Sequence, residues 1–409
     1  MLISVGMVVT GSLNTITTKL ADNTLAIGIN GGKPRQFNHP FLQAWFMFVG
    51  ELLCLLVFRI MVLRASRRSK KDQDAIDCAE PFSPLIFVLP ACCDMTATSL
   101  MYLGLTMTDA SVFQMLRGSV IIFTGIFSIV WLKRKLYLFH WIGMSAVLVG
   151  CVIVGLASVL NKPTNSSEAR NPQLGNTLIV VAQVVTAVQM VVEERYVSGK
   201  NIPALQAVGW EGFFGVTILG LLLIPMYYIP AVDGLSETES GGSHFEDALD
   251  GFNQISNSVQ LLLCICGTVT SIACFNYFGI SVTKSMSAVH RMVLDSIRTI
   301  VIWGVSLSLG WEQFEWMQMS GFCVLLFGTM VYNEILTLES LGVYYPDKEM
   351  QESLLPSKSA KKNRSASFSM LKNNANQETK DGSHGGNQNS EIVADDWFSP
   401  KLSHYQTKA

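Results

Sequence analysis

Long apolar runs, each closed off by a short polar stretch, recur over the first 340 residues of the chain. They predict helices near 1–20, 40–63, 84–106, 110–131, 136–160, 174–195, 203–228, 257–281, 286–309 and 314–337. Two stretches, 136–160 and 257–282, contain no Asp, Glu, Lys or Arg at all. A surface helix of a water-soluble fold needs a polar face, which these runs lack. Roughly 20 apolar residues in one helix are enough to cross a bilayer. The first run opens at Met1 without a basic segment and carries Thr10, Asn14, Thr15, Thr17 and Thr18, so a retained helix is expected rather than a cleaved signal peptide. The expected fold class is an all-α membrane protein with ten transmembrane helices.

Basic residues set the orientation. Arg64, Arg67, Arg68, Lys70, Lys71, Lys133, Arg134, Lys135, Arg195, Lys200 and Lys284 fall in the connections on one side, against only Lys33, Arg35, Lys162 and Arg170 on the other. Both termini are therefore expected in the cytosol, and the acidic connection 229–256 in the lumen or exterior. From about residue 341 the chain turns polar, and 356–390 is rich in Ser, Asn, Lys, Gln and Gly. That composition predicts a disordered cytosolic tail.

Of the 409 residues, 49% are hydrophobic and 15% charged, and the net charge is −2. The balance excludes a nucleic-acid binder driven by bulk positive charge. Eight of the nine cysteines lie in apolar runs, where free thiols behave as small hydrophobes. No catalytic constellation, cofactor motif or metal-ligand spacing is present, so no enzyme, cofactor or metal is expected.

Polar residues inside the apolar runs carry the candidate chemistry. A charge at the centre of a membrane helix costs about 2.5–3.5 kcal/mol on insertion scales, yet the ninth run holds Arg291, Asp295 and Arg298 at spacings that share one helical face. The fourth run carries Gln114, Arg117, Thr124 and Ser128; the sixth carries Gln183, Thr186, Gln189 and Glu193; the first carries Asn14 with its threonines. Four helices with one polar stripe each predict a shared central cavity, and Asn14, Gln114, Arg117, Gln189, Arg291, Asp295 and Arg298 are its expected substrate-binding residues. Glu51, Asp94 and Glu211, also in apolar runs, are expected as structural counter-ions to Arg117 and Arg298. Arginines in a cavity favour an anionic ligand, because guanidinium binds carboxylate or phosphate through two parallel hydrogen bonds.

The two halves also resemble each other. A shift of 178 residues places Gly143 on Gly321, Gly150 on Gly328, Arg117 on Asp295 and Arg134 on Glu312. Five helices per half require opposite orientations in the membrane, the inverted-repeat plan of many secondary transporters. The expected units are a first five-helix repeat over 1–160, a second over 161–340, and the tail over 341–409.

The segments Thr10-Gly11-Ser12-Leu13-Asn14-Thr15, Phe113-Gln114-Met115-Leu116-Arg117-Gly118 and Arg291-Met292-Val293-Leu294-Asp295-Ser296 resemble the drug/metabolite transporter superfamily. Within it they are similar to the nucleotide-sugar-transporter-like solute carrier family 35, F branch, over residues 1–340. The resemblance implies ten helices in two inverted repeats around a cavity lined from both halves. Golgi GDP-sugar carriers read Gly-Ala-Leu-Asn-Lys in the ninth helix where this chain reads Met292-Val293-Leu294-Asp295-Ser296; the replaced asparagine and lysine weigh against nucleotide-sugar transport.

The expected function is alternating-access transport of a small polar or anionic metabolite, with a non-transporting membrane receptor or scaffold of the same fold as the alternative. Expected partners are the small-molecule substrate, the lipid bilayer, sorting adaptors on the tail and a second copy of the chain, with no nucleic acid. Asn165 heads a glycosylation sequon. Leu354 and Leu355 follow acidic residues, like a dileucine sorting signal, and point to a lysosomal or endosomal membrane, with Golgi and mitochondrial membranes as alternatives.

Overall fold

A computed structural model describes residues 2–29, 31, 33–68, 82–133, 136–160, 171–196, 202–230, 244–285 and 288–336. Asn165, Leu354, Leu355 and the 341–409 tail lie outside the described residues. The helices are α1 (Leu2–Asp22), α2 (Pro40–Arg68), α3 (Val88–Met107, entered through a 3₁₀ turn at Pro84–Phe87), α4 (Ala110–Leu116) and α5 (Val120–Leu132). They continue as α6 (Leu138–Leu160), α7 (Pro172–Tyr196), α8 (Ala204–Tyr228), α9 (Ala248–Asn257), α10 (Val259–Ser285), α11 (Ala288–Ser308) and α12 (Trp316–Tyr332). Pro40 and Pro172 open their helices at the first turn, where a missing N–H costs no hydrogen bond.

Among the described residues seven helical segments are long and apolar enough to cross a membrane: 40–67, 84–107, 110–132, 138–160, 172–194, 204–228 and 259–279. Helices α1 and α11 match the expected first and ninth runs but carry the polar stripes, and α12 is a shorter apolar helix. The protein is thus a multi-pass membrane protein. The run 110–131 forms one continuous span in which α4 and α5 are joined by a 3₁₀ turn at Arg117–Ser119. Gly118 in that turn lets Leu325 of α12 approach, at 3.1 Å from where a Cβ would stand.

Helix α1 packs on α10, α7 on α3, α2 on α8 and α6 on α12. The last pair meets at glycines. A Cβ on Gly328 would sit 2.6 Å from the Val147 nitrogen and 2.7 Å from the Gly143 oxygen, and one on Gly150 would sit 2.8 Å from the Gly321 oxygen. Gly143 therefore faces Gly328 while Gly150 faces Gly321, an antiparallel contact at backbone distance. Gly150→Leu is expected to lower the stability of the purified protein by about 1–3 kcal/mol through overpacking. Gly155→Leu on the same helix, where nothing lies within 4 Å, should leave it near wild type. Thermal unfolding in detergent measures the difference.

One end of the bundle carries structure that hydrophobic runs did not announce. Strands β1 (Leu25–Ala26) and β2 (Arg35–Gln36) form a short antiparallel hairpin against the amphipathic α9. Asp247 caps α9 by accepting from the Asp250 N–H at 3.0 Å. Asp250, 1% exposed, pairs with Arg35 and accepts from the Ile29 N–H at 2.8 Å and from Gln254 Nε2 at 2.7 Å. His39 Nδ1 lies 2.8 Å from Glu246 Oε1 and its Nε2 3.5 Å from Asp250. Beneath this polar layer lies an apolar cluster including Phe37, Leu42, Leu223, Ile255 and Leu261.

Candidate functional site

A cavity of about 250 Å³ opens between the helices. Helix α1 contributes Asn14, Thr15 and Thr18; α2 contributes Glu51; α3 contributes Asp94, Thr98 and Tyr102. Phe113 and Arg117 enter from α4 and its turn, Gln189 and Glu193 from α7, Phe275 and Asn276 from α10, and Arg298 from α11. The volume lies just below the ~300–1,000 Å³ usual for small-molecule pockets, so it suits a compact metabolite.

Two arginines from distant parts of the chain meet at this cavity. The Arg298 guanidinium stands 4.9 Å from the centre of the Phe275 ring and that of Arg117 5.7 Å from Phe113, so each cation has an aromatic ring beside it. Gln114, 5% exposed, lies between them: its oxygen accepts from Arg117 Nη1 at 3.3 Å. With the amide turned over, that oxygen accepts instead from Arg298 Nη2 at 2.7 Å and Nε at 3.0 Å. Gly11 makes room for this arrangement, since a Cβ there would fall 2.7 Å from Arg298 Cδ and 2.8 Å from the Phe275 ring.

Most of the expected site residues converge here. Asn14, Arg117, Gln189 and Arg298 line the cavity, and Asn14 Oδ1 also accepts from Ser271 Oγ at 3.3 Å. Gln114 lies between the two guanidiniums, its oxygen accepting from one or the other according to the amide orientation. Asp295 stands outside the lining, 41% exposed, with Oδ1 3.4 Å from Arg298 Nη2 one turn along the same helix. The side chain of Arg291 lies outside the described residues.

The carboxylates are arranged differently from the expected pairing. Glu51 and Asp94 line the cavity, and Glu211 is 8% exposed but not on the lining. Asp94 lies within electrostatic reach of Arg117, but none of the three forms a direct ion pair with Arg117 or Arg298 among the described residues, where the ion pair of Arg298 is with Asp295. The reason is geometric: Arg117 turns towards Gln114 and Phe113, while Asp94 accepts from Thr98 Oγ1 at 3.1 Å. Three buried polar atoms on the lining, Glu51 Oε2, Tyr102 OH and Asn276 Nδ2, make no hydrogen bond of good geometry among the described residues, although Glu51 lies beside Asn276 and Tyr102 beside Thr18. Such atoms are uncommon in folded proteins and mark places where a ligand or water supplies the partner.

Sequence reasoning placed Glu193 on the polar stripe without nominating it, and missed Thr98, Tyr102, Phe113 and Phe275. Phe113 had a usable signal, lying four residues before Arg117 and so on the same helical face. Phe275 had none, because one ring among 22 phenylalanines is singled out only by tertiary packing.

Residues 30–156 match the EamA-like transporter family. The chain is 49% identical to solute carrier family 35 member F6 of Homo sapiens over 85% of this chain and 94% of that one. It is 31% identical to an uncharacterized protein of Schizosaccharomyces pombe over 82% of this chain and 98% of that one. It is 23% identical to the UDP-N-acetylglucosamine transporter of Bos taurus over 63% of this chain and 76% of that one.

Proposed function

The chain belongs to solute carrier family 35, and on that premise we propose that it is a secondary transporter carrying a small polar, anionic metabolite across an organelle membrane by alternating access. Its relatives with a named activity are carriers and not enzymes. One observation carries the reading: Arg117 and Arg298, from different halves of the sequence, converge on one cavity with an amide between them. Two guanidiniums at membrane depth are costly to keep, and together they form a fork for a carboxylate or phosphate. The named substrate of the bovine relative is a nucleotide sugar, also an anion, but the small cavity and the replaced Asn-Lys motif favour a more compact molecule here.

The ten-helix, two-repeat plan is part of the proposal, with 1–160 and 161–340 as the inverted halves. The 178-residue shift carries α1 onto α7, α3 onto α10 and α6 onto α12. The pair α1–α10 then becomes α7–α3, which is also packed. The contact of Gly143 with Gly328 likewise becomes that of Gly321 with Gly150, as a twofold axis between α6 and α12 requires. Helices α1 and α11, the more polar members, are the ones that bring Asn14 and Arg298 to the cavity.

Alternating access is tested by placing one cysteine on the lining, Thr186→Cys, in a chain whose native cysteines are replaced. In sealed vesicles of each orientation, a membrane-impermeant thiol reagent should reach Cys at this position from both faces. Reaction from one face only, whatever metabolite is supplied, would fit a receptor or scaffold and remove the carrier reading.

A further inference from the structure

The arginines account for only part of the chemistry of the lining, and although Asp94 lies within electrostatic reach of Arg117, the acids of the cavity are left largely unused. Glu51, Asp94 and Glu193 all line it, and Glu211 is buried within electrostatic reach of the three. No lysine or arginine forms an ion pair with any of them among the described residues, and the ion pair of Arg298 is with Asp295. Acids therefore outnumber the fixed cations at the cavity. Glu51 is 7% exposed, and beside Asn276 its Oε2 makes no hydrogen bond of good geometry among the described residues. Like charges crowded at low dielectric resist joint ionisation unless a cation is supplied. A substrate that was only an anion would add to that repulsion. A bound metal ion is not indicated, since no group of three or more His, Cys, Asp or Glu at metal spacing occurs among the described residues.

We propose that the transported molecule is zwitterionic, with its anionic group between Arg117 and Arg298 and a protonated nitrogen against Glu51, Asp94 and Glu193. The inference rests on the reading of this cavity as the substrate site and adds the second pole of the ligand. An ammonium donates up to three hydrogen bonds and accepts none, which suits a group of three carboxylates on one cavity lining. The cavity volume of about 250 Å³ confines the class to molecules of roughly amino-acid to dipeptide size, at the small end of ligand pockets.

The test uses the purified full-length chain in detergent and reads thermal stabilisation against concentration. The probes are glycine, 4-aminobutanoate and 6-aminohexanoate, each beside the carboxylate without nitrogen (acetate, butanoate, hexanoate) and the amine without carboxylate. At the best-fitting length the zwitterion should half-saturate at a concentration at least about tenfold below its matched carboxylate, a difference near one strong polar contact. In the near-isosteric double variant Glu51→Gln, Asp94→Asn that advantage should vanish while carboxylate binding persists. Parity of zwitterion and carboxylate in the wild type overturns the proposal, and so does an advantage that survives in the double variant; the wild-type comparison needs no variant to fold. The underlying reading fails separately, if Arg117→Ala still binds the carboxylates as the wild type does. Absence of stabilisation by every probe at every length overturns both.

Discussion

Arg117→Ala and Arg298→Ala, in protein that still folds and reaches its membrane, are each expected to abolish transport, and Arg→Lys at either position to impair it markedly. Each arginine has an aromatic ring beside it, and Gln114 lies between the two. Removing one guanidinium deletes half of a fork for the anionic group and leaves Gln114 facing only the other. A charge-assisted contact of this kind is worth about 1.5–3 kcal/mol, roughly a ten- to hundredfold loss of affinity. Lysine restores the charge but as a compact ammonium, without the planar donor pair or the stacking surface. Asp295→Asn should do less, because the acid stands outside the cavity lining and its Oδ1 is 3.4 Å from Arg298 Nη2, longer than a strong charge-assisted hydrogen bond. Initial uptake rates of the variants, normalised to folded protein in the membrane, check all three statements. Wild-type rates in both alanine variants would remove the arginines from the account.

The second large effect is expected away from the cavity. Asp250→Asn should destabilise the protein by about 3–5 kcal/mol, because it leaves the nearly buried Arg35 and the buried His39 without their shared anion. Burial alone would raise the Asp250 carboxyl, but hydrogen bonds from His39 and Arg35 outweigh it and hold the acid well below the usual carboxylate range. Burial would likewise lower His39, yet its hydrogen bonds to Asp250 and Glu246 win and raise it to about 9. A base whose folded value lies above its unfolded one contributes stability that is complete below the unfolded value. That contribution is then lost as the pH climbs through the folded value. The thermal midpoint should therefore hold steady near pH 6 and fall between 6.5 and about 9, and His39→Gln should flatten that fall. A profile in the histidine variant that keeps the wild-type slope would show that His39 is not the titrating group.

How far the sequence could be read differs from element to element. Long apolar runs located the main helices because lipid demands continuous apolar surface and internally satisfied backbone. The same criterion was blind to α9 and to the hairpin of β1 and β2. A ten-residue amphipathic helix and two-residue strands leave no run to detect, and they are held by Asp250, Arg35, Glu246 and His39 acting across more than 200 residues of chain. The tightening at Arg117–Ser119 was hidden for another reason: the run 110–131 is apolar on both sides of it, and nothing in the run marks the point where Leu325 packs close to Gly118.

At the cavity, single polar stripes were enough to nominate Asn14, Arg117, Gln189 and Arg298, since a helix in lipid turns such a stripe inward. They could not say which charges would meet. Opposite signs at membrane depth suggested that Glu51, Asp94 and Glu211 neutralise the arginines. In the structure Glu51 and Asp94 gather with Glu193 on the cavity lining, Asp94 within electrostatic reach of Arg117 but not paired with it, while Gln114 and two phenylalanines attend the guanidiniums. Stripe analysis fixes the face a residue occupies on its own helix, whereas partner choice depends on how the helices are rotated against one another.

The central claim, that this cavity passes a small polar metabolite across the membrane, is tested most directly by reconstitution. Purified wild-type protein in proteoliposomes is presented with a panel of small anionic and zwitterionic metabolites, and the vesicle contents are read by mass spectrometry. Liposomes without protein and liposomes holding the Arg117→Ala, Arg298→Ala double variant run in parallel. The account predicts that at least one compound accumulates with the wild type and stays at the protein-free level with the double variant. No accumulation of any compound by folded wild-type protein, or equal accumulation by the double variant, would contradict it.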